Sequence, residues 1–174
     1  MKALLTTALL FLSSLSWGFS YTVEISEQQI QQKIDALMPL ERKKLFFLVT
    51  LSDAKVDLVE GKNEISLFSQ VRLDAPNNIR ATGRAEIAGT LVYKAKEGAF
   101  YLNNPQIKQI EIDQLDPGLM PTMKKLAQNA VAKSLVKQPV YTLNDQDLKQ
   151  KLAKSMLKSI NVENQILKAT LSAF

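Results

Sequence analysis

Hydrophobic positions along this chain recur first at helical spacing, then at strand spacing, then at helical spacing again. Ile30, Ile34, Leu37 and Met38 share one helical face. Ser26-Glu27-Gln28-Gln29 opens that helix as a capping box, with Ser26 as cap and Gln29 reaching back. Pro39 ends it, because proline has no amide hydrogen to donate. From Leu45 the period is two. Phe47, Val49 and Leu51 recur at every second position before Ala54, Val56 and Leu58 take over the apolar phase, which predicts a bulge at Ser52-Asp53. Glu60-Gly61-Lys62-Asn63 turns the chain into a strand with Ile65, Leu67, Val71 and Leu73 on one face. After Ala75-Pro76-Asn77-Asn78 comes the longest alternation: Ile79, Ala81, Gly83, Ala85, Ile87, Gly89, Leu91 and Tyr93. Lys96-Glu97-Gly98 leads into a fourth strand carrying Phe100, Leu102, Ile107, Ile110 and Ile112, whose phase slips near Lys108-Gln109.

Beyond Pro117-Gly118 the period returns to 3.6. Leu119, Met123, Leu126, Ala127, Ala130, Val131, Ser134 and Leu135 form one stripe, with lysines off it. Asn144 then caps a helix carrying Leu148, Leu152 and Met156, and residues 160–162 and 166–171 form a last hairpin or return to the sheet edge. These elements predict an α+β fold. A curved antiparallel meander of about four long strands, plus a C-terminal strand, is wrapped on a long amphipathic helix over residues 119–135.

The first residues do not belong to that domain. Met1-Lys2 precedes a short apolar run ending at Phe11-Leu12, and Ser16, Gly18 and Ser20 are the small residues of a cleavage site. The run is shorter than the ~20 residues needed to span a bilayer. The expectation is a cleaved signal peptide over 1–20 and a single domain over 21–174, exported and periplasmic, with no transmembrane helix in the mature chain. No cysteine follows the leader to carry a lipid anchor.

Composition removes most catalytic chemistry. The 174 residues include no histidine and no cysteine. Serine–histidine and cysteine–histidine catalysis, thiolate zinc sites and disulfides are therefore excluded. The six glycines never take the spacing of a phosphate loop. Ser134-Leu135-Val136-Lys137 and Ser155-Met156-Leu157-Lys158 both match Ser-x-x-Lys, but without the accompanying Lys-Thr-Gly element. Glu111, Asp113 and Asp116 cluster at the end of the fourth strand, where they could ligate a hard cation, but calcium-loop spacing is missing and a solvated strand face is favoured. Asp53 and Asp57 flank Lys55 on an outward face in the same way. No enzyme, no cofactor and no metal are expected.

Charge and side-chain volume carry the remaining signals. The chain has a formal charge of +5, and residues 124–158 hold eight lysines against Asp145 and Asp147. Lys149, Lys151 and Lys154 are candidates for contact with an anionic membrane surface, or else a solvated face. Few arginines and no interleaved aromatics argue against nucleic acid. The small residues Ala81, Gly83, Ala85 and Gly89 leave two alternatives, close packing by a neighbouring backbone or space for an apolar ligand.

Four segments carry a resemblance. Tyr21-Thr22-Val23-Glu24-Ile25-Ser26-Glu27-Gln28-Gln29-Ile30, Glu97-Gly98-Ala99-Phe100-Tyr101-Leu102, Gln138-Pro139-Val140-Tyr141-Thr142-Leu143 and Ala153-Lys154-Ser155-Met156-Leu157-Lys158-Ser159-Ile160 occur in this order. Together the chain resembles the YceB-like lipoproteins of Gram-negative bacteria, a family of unknown function, apart from the missing anchor cysteine. The resemblance implies a tubular lipid-binding (TULIP-like) fold with an apolar channel. The expected function is non-enzymatic binding of lipid or another apolar ligand between sheet and helix. Leu67, Val71, Ala81, Gly83, Ala85, Ile87, Gly89, Leu91, Phe100, Leu102, Met123, Leu126 and Val131 would line that channel. The alternative is a cell-envelope interaction module with a packed core and a protein partner.

Overall fold

Strand and helix meet at Ser26, which ends β1 (Ser20–Ser26) and caps α1 (Glu27–Leu37). The predicted capping box is present. The Ser26 hydroxyl accepts from the Gln29 amide at 3.3 Å, and Gln29 Oε1 accepts from the Ser26 amide at 2.9 Å. The computed structural model describes residues 20–76, 79–143 and 156–172. The predicted leader over 1–20, apart from Ser20 at the start of β1, and the helix and lysine face predicted around Lys149, Lys151 and Lys154, lie outside them.

The meander follows as β2 (Leu40–Lys44), β3 (Phe47–Leu58), β4 (Glu64–Ala75), β5 (Ile79–Lys94) and β6 (Ala99–Ile112). A 3₁₀ turn (Pro117–Leu119), α2 (Met120–Ser134) and β7 (Pro139–Thr142) come next. These six strands pair antiparallel in chain order. β8 (Met156–Glu163) and β9 (Ile166–Ser172) join the N-terminal strand in a second sheet of order β1-β9-β8. Both predicted phase slips are bulges. The β3–β4 register shifts between Ser52 and Lys55, with Asp53 at φ 51°. On β6, Lys108 is skipped between Gln109↔Glu86 and Ile107↔Ile87. A third shift lies opposite Gly89, with Asn104 at φ 45°. Each bulge adds right-handed twist, and the sheet curls into a half-barrel.

The predicted α+β fold wrapped on a long helix, and with it the TULIP-like architecture, does not stand. Strands hold 61% of the described residues, and no long amphipathic helix is present among them. Two lengths show why. The 15 residues of α2 span about 22 Å, whereas the 16 residues of β5 extend over about 53 Å. The helix reaches along less than half of the sheet. Leu119 shares the apolar stripe but belongs to the 3₁₀ turn, where Asp116 caps the Gly118 amide at 2.7 Å. Met156, predicted on a helix, instead begins β8 opposite Ser172.

The helices are fastened to strand edges by side-chain amides. β2 pairs with β3 only as far as Leu51, so the next stretch of β3 has a free edge. Gln31 on α1 closes it, donating to Ala54 O at 2.7 Å and accepting from the Val56 amide at 2.8 Å. Glu27, one turn earlier, accepts from the Leu58 amide at 3.1 Å. On the opposite flank β7 covers only the start of β6. Gln128 on α2 takes the Ile107 amide and Pro105 carbonyl, each at 2.8 Å. Asn63 does the same for both backbone groups of Leu91. An unpaired strand edge is a template for aggregation, and these amides occupy it.

Candidate functional site

The half-barrel has two different ends. At one, the β3–β4 turn meets the second sheet: the Gly61 amide donates to Val162 O at 3.0 Å, and the Asn164 amide to the Glu60 carboxylate at 3.0 Å. Val23, Ile25, Val162, Leu167, Ala169 and Leu171 from that sheet join the main core. This end is closed. The other end is formed by the β2–β3 turn, the β4–β5 turn and the segment after Ile112, since Lys44 pairs with Phe47, Ala75 with Ile79 and Gly83 with Ile112. There the apolar residues are not covered. Leu45, Phe46, Ile79 and Leu119 are exposed, and Ala81, Ile110, Leu115 and Met120 are only half-buried.

All thirteen residues predicted to line a channel fall within the described structure, and all except Ala81 and Gly83 are buried. The sheet residues among them share the concave face by register: Leu67 faces Ile87, Val71 faces Gly83, Leu91 faces Leu102. Met123, Leu126 and Val131 join them in one core cluster. The large side chains of the set are 0–3% exposed, so water does not reach them. In this conformation the concave side is filled.

The two glycines explain part of that filling. A Cβ on Gly83 would overlap Glu111 O and lie 2.7 Å from Ile112 Cα. One on Gly89 would meet the Leu102 side chain at 2.9 Å and Asn103 O at 3.0 Å. Both positions are small because β6 approaches closely, and not because a ligand needs the room. The acidic trio is likewise dispersed. Glu111 accepts from Gln109 at 2.6 Å and faces Arg84 at 3.4 Å, Asp116 caps the 3₁₀ turn, and Asp113 lies in a turn, not on the strand. Among the described residues no three acidic groups are placed to hold a metal.

Two features have no counterpart in the sequence pattern. One is the pair Leu45-Phe46 at the tip of the β2–β3 turn, where an apolar dipeptide stands in a position that turns usually give to polar residues. The other is an aromatic cluster toward the closed end. The Tyr93 and Phe100 rings lie 5.0 Å apart, and Phe100 and Tyr141 6.4 Å apart. Burial raises the Tyr93 and Tyr141 hydroxyls above their ordinary pKa. Tyr101 is raised by its hydrogen bond to Glu97. In the unfolded chain these tyrosines ionise near pH ~10. Their contribution to stability is therefore whole below that pH and is lost as pH rises through the higher folded values. Tyrosinate absorbance should rise together with loss of circular dichroism above that pH. A rise that is complete before any unfolding would contradict this.

No helix among the described residues is long and apolar enough to cross a membrane. No curated protein gives a significant match to the chain. The profile of a family described as a protein of unknown function, DUF1439, matches residues 25–165, from the end of β1 to the β8–β9 turn. With both helices and nearly every strand inside that span, the chain belongs to the DUF1439 family.

Proposed function

We propose that this chain is a non-catalytic, exported domain of the cell envelope that takes up a lipid or another apolar ligand at the open end of its half-barrel. The carrying observation is the asymmetry of the two ends. The concave apolar face runs from a closed end to one where Ala81, Ile110, Leu115 and Met120 remain half-buried. Because the concave side is filled in the described conformation, uptake displaces the N-terminal turn of α2, whose Met120 and Met123 are the most adaptable side chains in the path. A leader-like N-terminus, the absence of histidine and cysteine, and the resemblance to YceB-like lipoproteins support the same reading.

A packed interaction module holding a protein partner is the second reading, and the filled interior favours it. A fluorescent fatty acid separates the two. The delipidated chain should bind it saturably. Ala81→Trp, at a half-buried position on the rim of the core, should weaken binding at least ~10-fold, since a displaced apolar chain loses several methylene contacts. A chain with no uptake supports the packed module. Unaltered uptake by Ala81→Trp places the ligand elsewhere.

A further inference from the structure

We propose that the β2–β3 turn is a docking tip for a bilayer bearing anionic lipid, with Leu45 and Phe46 entering the interface and the cations of β2 lying over the headgroups. Leu45 is 76% exposed and Phe46 73%, the two highest values among the exposed large hydrophobic residues. Neither serves the fold. Leu45 takes φ 53°, a backbone region where a glycine or asparagine would be less strained, and neither side chain belongs to the core. An apolar pair held on a strained turn and pointed at solvent needs another occupant.

Charge identifies that occupant. Arg42, Lys43 and Lys44 precede the tip, and no ion pair among the described residues engages them. The acids nearby are Glu41, paired in register with Thr50, and Asp74, which is held between Arg72 at 3.1 Å and Arg80 at 3.5 Å. The apex is thus apolar, with an excess of cations beside it. That order matches an anionic bilayer, whose headgroups attract each basic side chain while its interface receives the hydrophobic pair. Size argues in the same direction. Two side chains on a convex turn present far less than the ~800 Å² per partner that a specific protein interface buries. Ile79 and Leu119, exposed at the same end, would face the same surface. Docking there stands apart from ligand uptake, because the tip residues are not among those lining the concave face.

The test uses the chain purified after export, with the predicted leader removed, and sedimentation with vesicles of phosphatidylcholine alone or mixed with phosphatidylglycerol. Wild type should sediment with the mixed vesicles and be released by high salt. Leu45→Asp with Phe46→Asp should reduce binding at least ~10-fold, and Lys43→Gln or Lys44→Gln about fivefold each. Circular dichroism melting of the tip variants should match wild type, since the replaced side chains are solvated. Phe46→Trp should shift its emission to the blue on mixed vesicles, with no other tryptophan in the processed chain, since Trp17 lies in the predicted leader. Equal sedimentation of the double aspartate variant, no sedimentation of wild type, or no shift from Phe46→Trp overturns the proposal. A wild-type dimer that the double variant dissolves, without vesicle binding, also overturns it and makes a second copy the occupant. Loss of docking with fatty-acid uptake intact shows that the two sites are separate.

Discussion

Gly83→Ala should lower stability by at least ~3 kcal/mol, at the upper end of what overpacking costs. The added Cβ would overlap a backbone oxygen of β6, that of Glu111, and no rotamer change relieves a contact with main chain. The strands must separate at the Gly83↔Ile112 pair, the end pair of the β5–β6 ladder. For a domain of this size the melting temperature should fall by roughly 10 °C. Gly61→Ala is the matched control. Gly61 has φ 71° and nothing within 4 Å of where a Cβ would lie, so its cost is conformational and about 1 kcal/mol. Equal effects at the two glycines would show that close approach of β6 is not what keeps position 83 small.

That position also shows where sequence pattern stops. The alternation from Ile79 to Tyr93 puts every inner residue of β5 on the correct face, because a strand paired on both sides keeps strict period two. The same pattern cannot say whether Ala81, Gly83, Ala85 and Gly89 face a ligand or a neighbouring backbone. That distinction depends on how closely β6 lies, with Glu111 O beside Gly83 and Asn103 O beside Gly89. Two bulges are legible as phase slips, at Asp53 and Lys108. The one at Asn104 also changes the apolar parity, from Leu102 to Ile107, but the slip at Lys108 restores it by Ile110, so the two read as one. β2 is hidden for a different reason: four of its five residues are charged, and only Leu40 is buried. An edge strand needs one partner and tolerates lysine on its solvent side. The β1–β9 pairing joins residues from opposite ends of the domain, such as Ser20 with Ser172, which local periodicity does not report. Most of the candidate site is legible as a face. Its closure, the open end and the Leu45-Phe46 tip are not.

Removing the Gln128 amide should produce the second large effect. Gln128→Ala leaves the Ile107 N–H and Pro105 carbonyl of β6 without their partners, at a cost of about 2 kcal/mol. Gln128→Glu should be no better. A carboxylate still accepts from Ile107 but cannot donate to Pro105 O, and it sets two acceptors against each other. The helix is held to the sheet by this clamp as well as by apolar packing, so the loss has a second consequence. Amide hydrogen exchange should quicken across α2 and the 105–107 segment of β6, while α1, clamped separately by Gln31, keeps its protection. If the helix must swing for a ligand to enter, Gln128→Ala should also speed fatty-acid uptake. Faster exchange without faster uptake would separate the clamp from ligand admission.

Native mass spectrometry of the chain, purified without detergent, tests the uptake of an apolar ligand most directly. The expected result is a non-covalent adduct that fragments to an acyl chain or comparable apolar molecule, disappears on denaturation and is depleted in Ala81→Trp. A chain that emerges ligand-free, and that also fails to take up a fluorescent fatty acid, would contradict it.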